Sequence, residues 1–224
     1  MIDELLAALQ AHANPVNVAG MARYGIRSAG ALGVPMPILR GLAKKAGKNH
    51  ELAIQLWASG GLEARIMATL VDQPAKVTAR QMDRWARQFD SWAVCDQACQ
   101  NLFRYTPMAF EKAAEWSHAR EEYVRRAGFS LMAGLSVKAK HATDDQFAAF
   151  LPLIAEAASD DRNMVKKAVN WALRQIGKHN RRLHKLAIAA AGEIAAQGTK
   201  SSRWIAADAL RELRNPAIVA RIRP

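Results

Sequence analysis

NMVKKAVNWALRQIGK, residues 163–178, decides the fold. At a helical turn of about 100° per residue, Val165, Ala168, Val169, Ala172, Leu173 and Ile176 fall on one apolar stripe. Asn163, Lys167, Asn170, Trp171, Arg174 and Lys178 are predicted on the opposite side. The same period recurs in both directions along the chain. It predicts helices near 2–13, 16–23, 36–46, 49–59, 62–73, 78–88 and 91–104, and then 107–117, 121–138, 144–158, 163–178, 181–196, 200–213 and 216–222. Pro15, Pro35 with Pro37, Gly60 with Gly61, Pro74, Pro107, Gly177 and Pro216 stand at or near the boundaries. No run of β-branched and aromatic residues alternates with polar ones, so strands are not expected.

The chain reads as all-α. No Ser/Gly-rich linker divides it, so residues 1–224 are expected to form a single domain. Short helices in series, with a spacing of about 35–45 residues per pair, point to a curved array of HEAT-like antiparallel helix pairs, an α-solenoid. Successive helices of such an array line a concave side. If basic residues line it, that side is a groove for a duplex.

Half of the 224 residues are hydrophobic and 23% are charged, which marks a globular chain. No segment approaches the roughly 18 apolar residues of a membrane span. The opening MIDELLAALQ carries acids where a secretory signal carries positive charge. A soluble, cytoplasmic protein is therefore expected. Cys95 and Cys99 form no CxxC motif and read as reduced, packed thiols.

The net charge of +12 is uneven. Residues 1–161 hold 18 Lys and Arg against 17 Asp and Glu, whereas residues 162–224 hold 14 against 3. Between Arg162 and Gly192 there is no acid. Such a block suits a polyanion, most commonly nucleic acid. Lys166, Lys167, Arg174, Lys178, Arg181 and Arg182 are the candidate phosphate contacts. A solvated basic face with no partner is the alternative. A membrane surface is disfavoured, because no helix pairs this charge with a broad exposed aromatic face.

Trp171 lies off its helix's apolar stripe and among cations, which suits a sugar–phosphate backbone. It would equally suit packing on a neighbouring repeat. In EEYVRRAGFSLMAGL, residues 121–135, Val124, Ala127, Leu131 and Leu135 form the stripe, and Arg126 lies opposite. An Arg there is either a solvated surface group or a planar fork for a phosphate. In DSWAVCD, residues 90–96, Trp92 and Asp96 share a face one turn apart. A carboxylate beside an indole face is unfavourable unless a cation sits with them. That cation is a structural Arg, a cationic substrate, or a transition state with developing positive charge. Zinc-like His spacing, a phosphate-binding Gly-rich loop, GxSxG and a Cys–His signature are absent, and no metal or cofactor is expected.

DSWAVCD, YVRRAG and KKAVNWALRQIGK, in this order, resemble the AlkD-like DNA alkylation repair glycosylases. The stretch GVPMPILRGLAKKAG, residues 33–47, is similar to that family's N-terminal helices. The resemblance extends over nearly the whole chain. It implies a HEAT-like fold and hydrolysis of the N-glycosidic bond of cationic 3- or 7-alkylpurines in double-stranded DNA. It also implies catalytic roles for Trp92, Asp96, Trp171 and Arg126. The two Trp residues would flank the lesion's deoxyribose, Asp96 would lie by the anomeric carbon, and Arg126, or Arg125 if the alignment slips by one, would hold a phosphate. Family members often carry a second acid directly after the first Trp, where this chain has Ala93. A monomer acting on alkylated duplex DNA is expected. A non-catalytic DNA-binding relative and a HEAT-like protein-interaction scaffold are the alternatives.

Overall fold

Asparagine and threonine side chains start many of the helices in the computed structural model, which describes residues 1–26, 30–139 and 141–223. Asn14 accepts from the amides of Val16 and Asn17 at 3.1 Å, Asn49 from Leu52 at 3.0 Å, and Thr78 from Gln81 at 3.2 Å. Asn180, Thr199 and Asn215 do the same for Leu183, Ser202 and Ala217. Thr143 and Gln146 cap each other's backbone amides reciprocally. Each cap satisfies amides that the first helical turn leaves unpaired.

The chain falls into two compact units, Met1–Thr106 and Pro107–Pro224. The first contains α1 (Ile2–Ala11), α2 (Pro15–Met21), α3 (Met36–Ala46), α4 (His50–Ala58), α5 (Leu62–Val71), α6 (Ala79–Ala86) and α7 (Trp92–Asn101). The second contains α8 (Ala109–Ser117), α9 (Glu122–Lys138), α10 (Asp144–Ala148), α11 (Phe150–Glu156), α12 (Asn163–Gly177), α13 (Arg181–Ala196), α14 (Lys200–Leu213) and α15 (Pro216–Val219). Among the described residues no strand forms; a single bridge joins Asn180 to Arg223.

The helix expected over 144–158 is instead α10, α11 and a 3-10 turn at Ala157–Ser159. Pro152 explains the break, since it has no amide hydrogen for the carbonyl of Ala148 and its ring crowds that turn. The helix expected to 104 ends at Asn101, ahead of a 3-10 turn at Phe103–Tyr105. First helices of successive pairs start at 50, 79, 109, 144 and 181. The repeat is thus shorter than expected toward the N-terminus and reaches the expected length only toward the C-terminus.

In the first unit, α4 packs on α5, and α5 on α3 and α7. Its core holds Trp57 and Trp85 stacked in parallel, centroids 4.0 Å apart, beside Phe89 and Phe103. Two acids are buried structural anchors. Glu63 accepts from the amides of Leu32 and Gly33, and Asp72 bonds His50 and Gln81. In the second unit α9 packs on α8 and on α12, and α12 also meets α13 and α14. α8 and α9 approach closely at Gly128: a Cβ there would lie 2.7 Å from the amide nitrogen of Ser117 and 2.9 Å from the carbonyl oxygen of Ala113.

Candidate nucleic-acid interface

The residues of α7 divide by face. Val94, Cys95, Ala98 and Cys99 are fully buried, while Trp92, Ala93, Asp96 and Gln97 are partly open. Both cysteines are buried in the core and form no disulfide. α7 is fixed to α5 by Asn101, whose amide donates to Gln97 at 2.8 Å and to the Thr69 hydroxyl at 3.3 Å. Trp92 opens the helix, and its Nε1 donates to the carbonyl of Tyr24 at 2.6 Å. The indole is therefore oriented by the turn at Ala22–Tyr24, while Asp96 follows one turn later on the same half-open side.

α12 is covered on more sides than its own periodicity suggests. Asn170, expected opposite the apolar stripe, is 2% exposed and donates to Asp208 of α14 at 2.6 Å. The reason is tertiary: α9, α11, α13 and α14 all pack on α12. Trp171 is partly exposed and Lys167 is exposed.

Arg126 is 7% exposed, and its Nη1 donates to the carbonyl of Met164 in the first turn of α12 at 2.6 Å. Arg125 instead meets Asp160 at 3.2 Å, and Arg162 binds the same carboxylate at 2.6 Å while reaching the carbonyl of Arg120. Burial pushes the Asp160 carboxyl up. The hydrogen bonds and charge of Arg162, with the charge of Arg125, outweigh that and hold it below its ordinary value. This Asp160–Arg clamp and Arg126 together fix the start of α12 against the start of α9.

The acid-free stretch meets its acids in three dimensions. Arg174 and Lys178 both pair with Glu212 of α14, Lys178 at 2.5 Å. Arg174 also lies 3.7 Å from Asp208. Burial raises the Glu212 carboxyl, but Lys178 and Arg174 bring it below its ordinary value. Arg182 pairs with Asp145 at 2.5 Å and Asp144 at 3.7 Å. Arg181 is exposed, and its backbone amide donates to Arg223. Lys166 lies 5.2 Å from the ring centroid of Trp204, an indole 40% exposed on α14. Sequence reasoning passed over Trp204. Its signal was there, because Ile205, Ala206, Ala209 and Leu213 make the buried stripe of α14 and Trp204 lies off it.

Among the described residues no cluster of three or more His, Cys, Asp or Glu could hold a metal ion. No described helix is long and apolar enough to cross a membrane.

The chain is similar to an uncharacterised protein of Listeria innocua, Lin0241, at 23% identity over 197 residues, which covers 86% of this chain and 85% of that one. It is also similar to a solved structure described as "a new family of proteins related to the HEAT-like repeat DNA glycosylases with affinity for branched DNA structures". That match has a TM-score of 0.77 and 21% identity, and it covers 86% of this chain and 82% of the other. It shows that the fold is of the HEAT-like repeat kind. Residues 5–213 match the family described as DNA alkylation repair enzyme. With that match spanning nearly the whole chain, the protein belongs to the DNA alkylation repair enzyme family.

Proposed function

We propose that this protein is a DNA glycosylase that releases cationic alkylated purines from duplex DNA. The observation that carries the reading is Asp96, a half-open carboxylate one turn after an oriented indole, in a chain of a DNA alkylation repair family. A purine alkylated at N3 or N7 already bears positive charge. When its C1′–N bond breaks, the electron pair goes to the base, which leaves neutral, and the sugar becomes oxocarbenium-like. Asp96 stabilises that sugar cation and takes a proton from the water that adds to C1′. The products are the free base and an abasic site. Trp92, one turn before Asp96, holds the deoxyribose through its C–H groups and shares in stabilising the cation. Trp171, among the cations of α12, packs on the sugar–phosphate backbone. Arg126, the residue expected to hold a backbone phosphate, and its alternative Arg125 contribute less to that contact than expected, because Arg126 is buried on the carbonyl of Met164 and Arg125 is paired with Asp160. Lys166, Lys167 and Arg181 supply further phosphate contacts; Arg174, Lys178 and Arg182 contribute less, because Glu212 already holds the first two and Asp144 and Asp145 the third. The chain works as one repeat domain and as a monomer in the cytoplasm, with no cofactor.

A second reading is a non-catalytic protein that binds branched DNA. Two observations favour it: the solved structure at TM-score 0.77 is described by that affinity, and Ala93 stands where family members often have an acid. One experiment separates them. A duplex with a single 7-methylguanine and an undamaged four-way junction are each incubated with the protein, and free base and binding are measured. Release of 7-methylguanine supports the glycosylase. Tight junction binding with no release from the duplex supports the second reading and overturns the first.

A further inference from the structure

We infer that α3 carries a second phosphodiester-binding surface, at a groove of about 300 Å³ whose lining includes Arg40 and Lys44 of α3 together with Lys48 and Leu70. This rests on the DNA-binding part of the proposed function and extends it to a part of the chain the basic block does not include.

The first observation is charge. Residues 5–50 contain six Lys and Arg and no Asp or Glu. The second is pairing. Arg40, Lys44 and Lys45 are exposed on α3, and among the described residues none of them has an ion-pair partner. The C-terminal block differs, for Arg174, Lys178 and Arg182 are all paired with acids. Two acids nearby in sequence are turned inward: Glu63 is spent on the amides of Leu32 and Gly33, and Asp72 on His50 and Gln81.

The third observation is shape. Leu39 and Ala43 anchor α3 in the core, so Arg40 and Lys44, one turn apart, stand on one outward face. Lys48 closes the groove. Its Nζ donates to the carbonyls of Leu70 and Asp72 at 2.9 Å, covering the electronegative end of α5 that would otherwise repel an anion. Attraction to the C-terminal dipole of α3 accounts for Lys44 and Lys45 in its last turn, but not for Arg40 or for the missing acids. Nucleic acid is favoured over an anionic membrane because the exposed face of α3 presents Arg40, Gly41, Lys44 and Lys45, with no large apolar side chain to insert.

The test uses the full chain and a fluorescent 7-methylguanine duplex, with binding measured by anisotropy across roughly 50–200 mM salt. The double variant Arg40→Gln, Lys44→Gln leaves Lys48 in place to hold α5. Its affinity is expected to fall about tenfold or more near ~0.1 M salt, and its log–log salt slope to shrink by about two. Its thermal midpoint should stay at the wild-type value. If the wild type binds DNA and the variant keeps the same affinity and slope, the α3 surface is overturned and the C-terminal reading stands. If the wild type shows no salt-dependent DNA binding, both are overturned. Binding to vesicles rich in phosphatidylserine, lost in the variant while DNA binding is kept, also overturns the assignment to nucleic acid.

Discussion

Gly128 and Gly192 sit inside helices, yet a methyl group would meet different surroundings at each. At position 128 it would press on backbone atoms of α8 at 2.7 and 2.9 Å. At position 192 on α13 it would meet nothing within 4 Å. Alanine gains up to about 1 kcal/mol over glycine in a helix interior. For Gly192→Ala that gain is expected in full, at roughly 0.5–1 kcal/mol. For Gly128→Ala, overpacking against backbone that cannot rotate away costs about 1–3 kcal/mol and overrides it. Urea unfolding of the two variants should therefore shift in opposite directions. Trp204 is legible at this scale too: it lies off the buried stripe of its own helix, away from any recognised motif, and its indole is 40% exposed.

α12 takes its position from α9, and the clamp on Asp160 is where that can be measured. The carboxylate is held below its ordinary pKa by Arg162 and Arg125. A depressed acid contributes stability above its unfolded pKa, and that stability is lost as pH falls through the folded value. Asp160→Asn is therefore expected to be less stable than wild type near pH 7, by about 1–3 kcal/mol. The gap should stay whole down to about pH 4, the ordinary carboxylate value, and close only as pH falls on through the depressed folded value, where the wild-type carboxyl also takes up a proton. Thermal unfolding of both proteins from about pH 7 to below the depressed folded value checks this; a gap that persists undiminished at the acid end would mean that the charge of Asp160 is not what holds the helices. Removing Arg126 should likewise cost stability, because it is buried on the carbonyl of Met164.

Across the molecule, the helices were legible in the sequence because period and breakers are local properties. The predicted helix over 200–213 matches α14, and that over 36–46 matches α3. The split at α10 and α11 was equally local, and Pro152 carried it. What the sequence did not disclose depends on partners far along the chain. Asn170 reads as exposed until Asp208, 38 positions on, receives it. The block from 162 to 192 reads as bare positive charge until Glu212 and Asp145 fold onto it. The half-open side of α7 that carries Trp92 and Asp96 could be read from spacing alone, but the bond from Trp92 to Tyr24, 68 positions away, could not. These pairings also bear on DNA binding. Affinity should fall by about one log unit per log unit of salt for each phosphate neutralised. The total slope should lie below the number of Lys and Arg in the block, since several already have acidic partners. A flat dependence would remove nucleic acid as the partner.

Whether a fixed anion assists glycosidic bond cleavage in this protein is decided by Asp96→Asn. The substitution keeps the shape of the side chain and removes its charge. A fixed anion stabilises the sugar cation more than the bound ground state, by about 3–4 kcal/mol if it matches the loss of one oxyanion-hole donor with charges reversed. Single-turnover release of 7-methylguanine from a saturated duplex should therefore slow by on the order of 10²–10³-fold, with duplex affinity equal to or slightly above wild type. Release at the wild-type rate would contradict the account and leave Asp96 a structural residue.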